Sequence, residues 1–248
     1  MGSATTATSA AERLRELARC LEAQNDFAAV LQALANGQPA IIDGVWGSSC
    51  ALAAATLAAR APSTLLVVSS RIAEIDVIAD DLELFSASKI VRFPAWETPP
   101  SEHRIRDDIY GERLRTLKSL LEPVPPRVIA CSIQSLLQSV PPRRELAAQT
   151  RRLRLADRLD VEPFLKWLVS QGFHSTSAVE LPGEFSLRGG ILDLFAPDWS
   201  QPVRLELFDD EIESLRRFDI ASQRSLERLD AIDVTVLKPD SGERVQLT

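Results

Sequence analysis

The stretch "GVWGSSCALAAATLAARAPSTLLVVS", residues 44–69, decides the fold. It runs turn, helix, strand. "TLLVVS" (64–69) is apolar without alternation, which predicts a strand buried on both faces, the kind a parallel sheet needs. "ALAAATLAAR" (51–60) is a strong helix former, and "AIID" (40–43) reads as a short strand ahead of the turn. Further on, "IAEIDVIADDLELF" (72–85) has helical spacing and "IVRF" (90–93) reads as a strand. "DDIYGERLRTLKSLL" (107–121) predicts a helix with Ile109, Leu114, Leu117 and Leu121 facing inward. "RVIACS" (127–132) predicts another strand, followed by a short helix. Upstream, Ser9 and Glu12 make a capping box before a helix that carries Leu14, Leu17 and Leu21 on one face. Strand and helix alternate, so the expected architecture is a parallel α/β sheet covered on both faces.

The period changes toward two near residue 145. "VEPFLKWLVSQGF" (161–173) is one amphipathic helix ended by Gly172. Then come "FSLRGGILDLF" (185–195), "VRLELF" (203–208), "EIESLRRFDI" (211–220) and "LDAIDVTVL" (229–237), all strand-like. Asp209-Asp210 fits a tight hairpin turn. Gly189-Gly190 inside a strand pattern predicts a bulge or a close backbone approach. Residues 145–238 therefore read as a small antiparallel α+β domain, and prolines 123, 125, 126, 141 and 142 mark the approach to it.

Composition narrows the function classes. The 248 residues are 45% hydrophobic, enough for one large or two modest domains, and 25% charged, as in ordinary soluble proteins. Three scattered cysteines and two histidines argue against a disulfide framework or a zinc site and fit a reducing cytoplasm. No apolar run suggests a membrane span, and "MGSATTATSAAERL" reads as a mobile lead-in, not an export signal. From Leu159 to Thr248 there are 9 Lys/Arg against 17 Asp/Glu, a balance of −8, which repels phosphates and suits a protein partner or plain solubility.

The opening turn starts like a phosphate loop, G-x-x-x-x-G-K-[S/T], and then loses its chemistry. With Gly44 first, and Gly47 and Ser48 in variable slots, Ser49 replaces the second glycine, Cys50 the lysine and Ala51 the Mg²⁺-holding hydroxyl. Both charge-neutralising groups are gone. Spacing alone favours a plain strand-to-helix turn.

Longer motifs carry a resemblance. "GVWGSSCAL" resembles an eroded "GVTGSGKT" loop of the nucleotide excision repair protein UvrB. "RFPAWETPPSE" with "DIYGERLRTLKSLL" is similar to the N-terminal, UvrB-like part of the Mfd-type transcription-repair coupling factors. "GEFSLRGGILDLFAPDWSQPVRLELFDDEIESLRRFDIASQRSLERLDAIDV" (183–234) resembles the second domain that UvrB and these factors share. UvrB itself has an intact loop and an aromatic-rich DNA-inserting hairpin, where this chain has "FPAWETPPSEHRIRDD".

The resemblance implies a helicase-like parallel α/β domain with a degenerate nucleotide loop, and a small antiparallel α+β domain inserted in it. The expected divisions are a lead-in and helix (1–36), the UvrB-like α/β domain (37–144), a UvrA-interaction domain (145–238) and a truncated return (239–248). It implies a non-catalytic module that recruits UvrA for excision repair at stalled RNA polymerase. RNA polymerase, DNA, ATP and Mg²⁺ would be engaged by other domains of a full-length relative, so this chain reads as a fragment or a short relative with no cofactor of its own. The alternative is a nucleotide-dependent DNA-handling protein of the UvrB or helicase type. A Rossmann-like metabolic enzyme lacks its G-x-G-x-x-G and any acid–base constellation.

The resemblance makes Arg188 a UvrA contact, where guanidinium chemistry suits a bidentate carboxylate; a surface ion pair is the plainer reading. Alternation carried through the glycines puts Leu187 and Ile191 on one face and Arg188 on the other, toward solvent. Phe185 is either core or part of the same contact. His174 stands where relatives tend to carry Arg after the aromatic of "GF"; it is a third candidate UvrA contact, and an exposed loop histidine is the plainer reading. Trp46 and Trp96 are expected to be buried by packing. "RRELAAQTRRLRLADR" (143–158) is read as a solvated basic connection, and "EHRIRDD" (102–108) as non-catalytic.

Overall fold

One strand, residues 128–132, is buried along its whole length, and the parallel sheet is built around it. The structure is a computed structural model that describes residues 9–98 and 107–237. The start of the lead-in, the segment containing His103 and the expected return at 239–248 lie outside the described residues. In chain order the helices are α1 (Ala10–Glu22), α2 (Asn25–Ala35), α3 (Ser48–Arg60), α4 (Ile75–Phe85), α5 (Asp108–Ser119), α6 (Ile133–Leu137), α7 (Arg143–Ala148) and α8 (Val161–Ser170). The strands are β1 (Leu65–Ser69), β2 (Ile90–Phe93), β3 (Val128–Ser132), β4 (Thr150–Arg154), β5 (His174–Ser175), β6 (Glu184–Arg188), β7 (Ile191–Phe195), β8 (Val203–Phe208), β9 (Glu211–Phe218), β10 (Ser225–Arg228) and β11 (Ala231–Thr235). The fold is mixed α/β, with one parallel sheet and separate sheets dominated by antiparallel pairing. The chain divides into two units, Met1–Ala95 with Ser119–Leu137, and Trp96–Lys118 with Gln138–Thr248.

In the first unit the strand order is β1-β3-β2, all parallel. Ala51, Ala55 and Ala58 of α3 lie at helical spacing and pack with Ile75, Ala79 and Leu82 of α4 against Ile90, Val128 and Ala130. Small side chains on α3 let the two helices and the sheet come close. The Ser9–Glu12 capping box forms and starts α1. Two expectations fail. Residues 40–43 form no strand, and Ile41 is exposed. Strand character is a property of pairing as much as of composition, and among the described residues no strand pairs with this tetrapeptide. β1 is not buried on both faces either: Leu65 and Val67 pack on the core while Leu66 and Val68 are exposed. β1 sits at the sheet edge and β3 in the middle, so β3 is the doubly buried strand.

In the second unit a six-stranded sheet runs β10-β9-β8-β7-β6-β5, antiparallel except for the β5–β6 pair, and β11 pairs with β4 in a two-stranded sheet. Phe164 and Leu168 of α8, Leu192, Leu194, Leu205 and Leu215 are fully buried. α8 ends at Ser170, and Gly172 follows at φ +97. α5 belongs here up to Lys118. Its inner face is Tyr110, Arg113 and Leu114; of the expected stripe Leu114 is buried, whereas Ile109, Leu117 and Leu121 are only half-buried. The Tyr110 hydroxyl donates to the Leu237 carbonyl, and Tyr110 stacks on the buried Trp96. Burial holds the Arg113 guanidinium down to about 10. Gly111 lies against the Pro197 carbonyl so closely that a Cβ would sit 2.2 Å from that oxygen.

"FSLRGGILDLF" is not one bulged strand. It is the hairpin β6–β7, with Gly189-Gly190 as its two-residue turn. Gly189 has φ +60, a conformation that glycine reaches without strain. Gly190 meets the backbone of β8: its carbonyl accepts from the Leu207 N–H at 2.7 Å, and a Cβ would fall 2.6 Å from the Leu207 oxygen. Asp209-Asp210 likewise closes the β8–β9 hairpin, with Asp209 at φ +53.

Candidate functional site

Gly44 (φ +73) and Gly47 (φ +55) both adopt left-handed backbone, and Gly47 is the N-cap of α3. The turn closes on itself. The Ser49 hydroxyl donates to the Trp46 carbonyl at 2.7 Å and accepts from the Trp46 N–H at 2.9 Å. The N–H groups of Ser49 and Cys50 donate back to the carbonyls of Trp46 and Gly47. Ser48, Ser49 and Cys50 in the first turn of α3 are exposed, and Ala51, next along the same helix, is buried in the core. Trp46 is 79% exposed, contrary to the packing expected of it, because no strand forms at 40–43 to carry the turn onto the sheet.

The second feature is one face of the six-stranded sheet. Residues paired across strands share a face. Phe185 with Leu194, Leu187 with Leu192, and Leu192 with Leu205 form the apolar side. The other side carries two rows. Arg188, Ile191, Glu206 and Ser214 make the first; Ser186, Asp193, Arg204 and Arg216 make the second. Ile191 therefore lies on the Arg188 side, not with Leu187: the tight turn at Gly189-Gly190 resets the alternation that a continuous strand would have kept.

Asp193 organises this face. Arg204 donates to it through Nε at 2.7 Å and a terminal nitrogen at 2.9 Å, and Arg188 donates at 3.1 Å. Side-chain exposure rises from Asp193 (2%) through Arg204 (19%) to Arg188 (56%). The hydrogen bonds that Arg204 donates to Asp193 lift its guanidinium above its ordinary range. Arg204 also donates to Gln223 Oε1 at 3.0 Å and stacks over the Phe218 ring at 4.6 Å. In the first row, Glu206 accepts from Ser214 at 2.7 Å and from Arg216 at 3.0 Å. The three arginines and two carboxylates leave one positive charge, presented mainly by Arg188.

Of the three residues singled out from the sequence, only Arg188 is part of this constellation. Phe185 is 4% exposed, on the opposite face and in the core. His174 is exposed on β5 and pairs with Glu184, four residues along β6 from Arg188, roughly 13 Å at strand rise. Asp193, Arg204, Glu206 and Arg216 were not singled out. Their signal was present as charged residues inside strand patterns, but only the hairpin register shows that they meet. The basic stretch 143–158 is exposed at its arginines, and Arg151 lies over the Trp167 ring at 4.1 Å. Among the described residues no cluster of three or more His, Cys, Asp or Glu has metal-holding geometry. No helix among them is long and apolar enough to cross a membrane.

Residues 152–238 match the family described as the UvrB interaction domain. Over 179 residues, 71% of its length, the chain is 32% identical to a transcription-repair-coupling factor of Staphylococcus aureus (strain Mu50 / ATCC 700699) and covers 15% of that protein. It is 33% identical over 218 residues, 84% of its length, to a transcription-repair-coupling factor of Myxococcus xanthus and covers 18% of it. The chain thus spans less than a fifth of the curated relatives it matches. Residues 152–238 thus carry the match to the UvrB interaction domain, and through most of its length the chain is a relative of the transcription-repair-coupling factors.

Proposed function

We propose that this chain is a non-catalytic docking module of a transcription-repair-coupling factor, one that recruits UvrA for nucleotide excision repair where RNA polymerase has stalled. The carrying observation is the charged sheet face: Arg188 is presented at the tip of the β6–β7 hairpin inside the stretch that matches the UvrB interaction domain. A guanidinium so placed suits a carboxylate on a protein partner. In the surrounding 90 residues the balance of −8 disfavours a phosphate backbone.

The parallel sheet and the Gly44–Gly47 turn fit a helicase-like domain whose nucleotide site has decayed. The N–H groups of Ser49 and Cys50 that such a loop would aim at phosphate are engaged with the loop's own carbonyls, and Cys50 supplies no cation. This supports the docking reading over an ATP-dependent DNA-handling enzyme. RNA polymerase, DNA and ATP are assigned to other parts of a full-length relative. Capture of UvrA on the immobilised chain tests the reading; the parent should retain UvrA and Arg188→Ala should not.

A further inference from the structure

Docking of Arg188 on UvrA, the reading on which this inference rests, requires its guanidinium to be oriented outward from the sheet. We propose that Asp193 is the positioning residue of a two-arginine clamp, which holds Arg188 ready for a carboxylate on the UvrA surface. Asp193 stands opposite Arg204 on β8 and opposite Ser186 on β6, so Arg188 is its diagonal neighbour. Its buried carboxylate accepts three charge-assisted hydrogen bonds, two from Arg204 and one from Arg188.

The geometry has two consequences. First, Arg204 cannot drift, because Gln223 and the Phe218 ring fix its far side. It saturates much of the Asp193 charge, so Arg188 is steered by Asp193 without being neutralised by it. The spare N–H groups of Arg188 are left for a partner. Second, Glu206, the nearest acid on the same row, is already occupied by Ser214 and Arg216 and does not draw Arg188 away. An unrestrained exposed arginine loses rotamer freedom when it binds; here part of that loss is incurred on folding.

The test is a substitution cycle on the whole chain with purified UvrA, read as dissociation constants by calorimetry. The variants are Asp193→Asn, Arg188→Ala and the double, with melting temperatures recorded alongside. The clamp predicts that Asp193→Asn weakens binding about tenfold in the parent and less than about twofold once Arg188 is alanine, a coupling of the size seen for residues in direct contact. Equal losses in both backgrounds would mean that Asp193 acts only on the fold, and would overturn the proposal. So would an Asp193→Asn variant that binds like the parent while Arg188→Ala does not. Should Arg188→Ala itself bind like the parent, the docking reading fails first and the clamp with it. If Asp193→Asn does not fold, Asp193→Glu carries the same cycle: it keeps the charge one methylene further out and must lose binding only while Arg188 is present.

Discussion

Replacing Gly111 by alanine sets helix propensity against tertiary packing, and the structure decides the sign. Gly111 lies inside α5, where alanine is favoured over glycine by about 0.5–1 kcal/mol. Sequence reasoning alone therefore predicts a stabilised helix. The added Cβ would sit 2.2 Å from the Pro197 carbonyl oxygen and 3.2 Å from its carbon. Ordinary contact begins near ~3.5 Å, so two backbone segments must part by about 1 Å. Neither side is a flexible side-chain end that can swing away. Overpacking of this kind costs about 1–3 kcal/mol, and a backbone-to-backbone clash belongs at the upper end. Offset by the propensity gain, the net loss is about 2 kcal/mol, or about 4–8 °C in melting temperature for a chain of this size. Chemical and thermal denaturation measure it. Glu112→Ala, one residue on and exposed, is the control and should stay within about 0.5 kcal/mol of the parent. A Gly111→Ala chain as stable as the parent, or more so, refutes the close approach of α5 to Pro197.

Three further outcomes follow from the sites. Titration with Mg·ATP should give no saturable heat, because Ser49, Cys50 and Ala51 replace the loop chemistry; binding at about micromolar strength, roughly 8 kcal/mol, would revive the enzyme reading. Mobility shift at physiological salt should show no duplex DNA binding near the ~10⁻⁸ M typical of dedicated readers. Burial raises the Asp198 carboxyl despite its Lys118 partner, and its Oδ1 is buried without a hydrogen bond. A raised carboxyl favours the folded chain below its unfolded pKa and loses that advantage as pH rises through the folded value. Denaturation of the parent and of Asp198→Asn from neutral pH down to about 4 should therefore show the parent gaining relative to the variant; a constant difference contradicts the assignment.

Much of this was legible in the chain. Apolar runs located β1, β2 and β3, helical spacing located α3, α4, α5 and α8, and the Asp209-Asp210 turn fell where strand patterns met. What failed depended on partners in space. "AIID" has strand composition but, among the described residues, no strand that pairs with it, and Trp46 is exposed with it. α5 has an amphipathic pattern, but a pattern does not say which core it serves, and its face turned toward Tyr110 and Arg113. The charged face was missed for a single reason: counting alternation through Gly189-Gly190 treats a hairpin as a strand. With the turn in place, Ile191 joins Arg188, Asp193 falls between Arg188 and Arg204, and a lone exposed arginine becomes one end of a network.

The central claim is that the Arg188 face docks on UvrA, and the most direct measurement is calorimetric titration of purified UvrA with the parent chain and with Arg188→Ala. Truncating a well-desolvated interface arginine commonly costs about 2 kcal/mol or more, about thirtyfold in affinity. The account predicts saturable binding by the parent and a loss of at least that size in the variant. Because Arg188 is half exposed and Asp193 keeps Arg204, the variant's melting temperature should fall by no more than a few degrees. A parent that gives no binding isotherm, or a variant that binds UvrA as tightly as the parent, contradicts it.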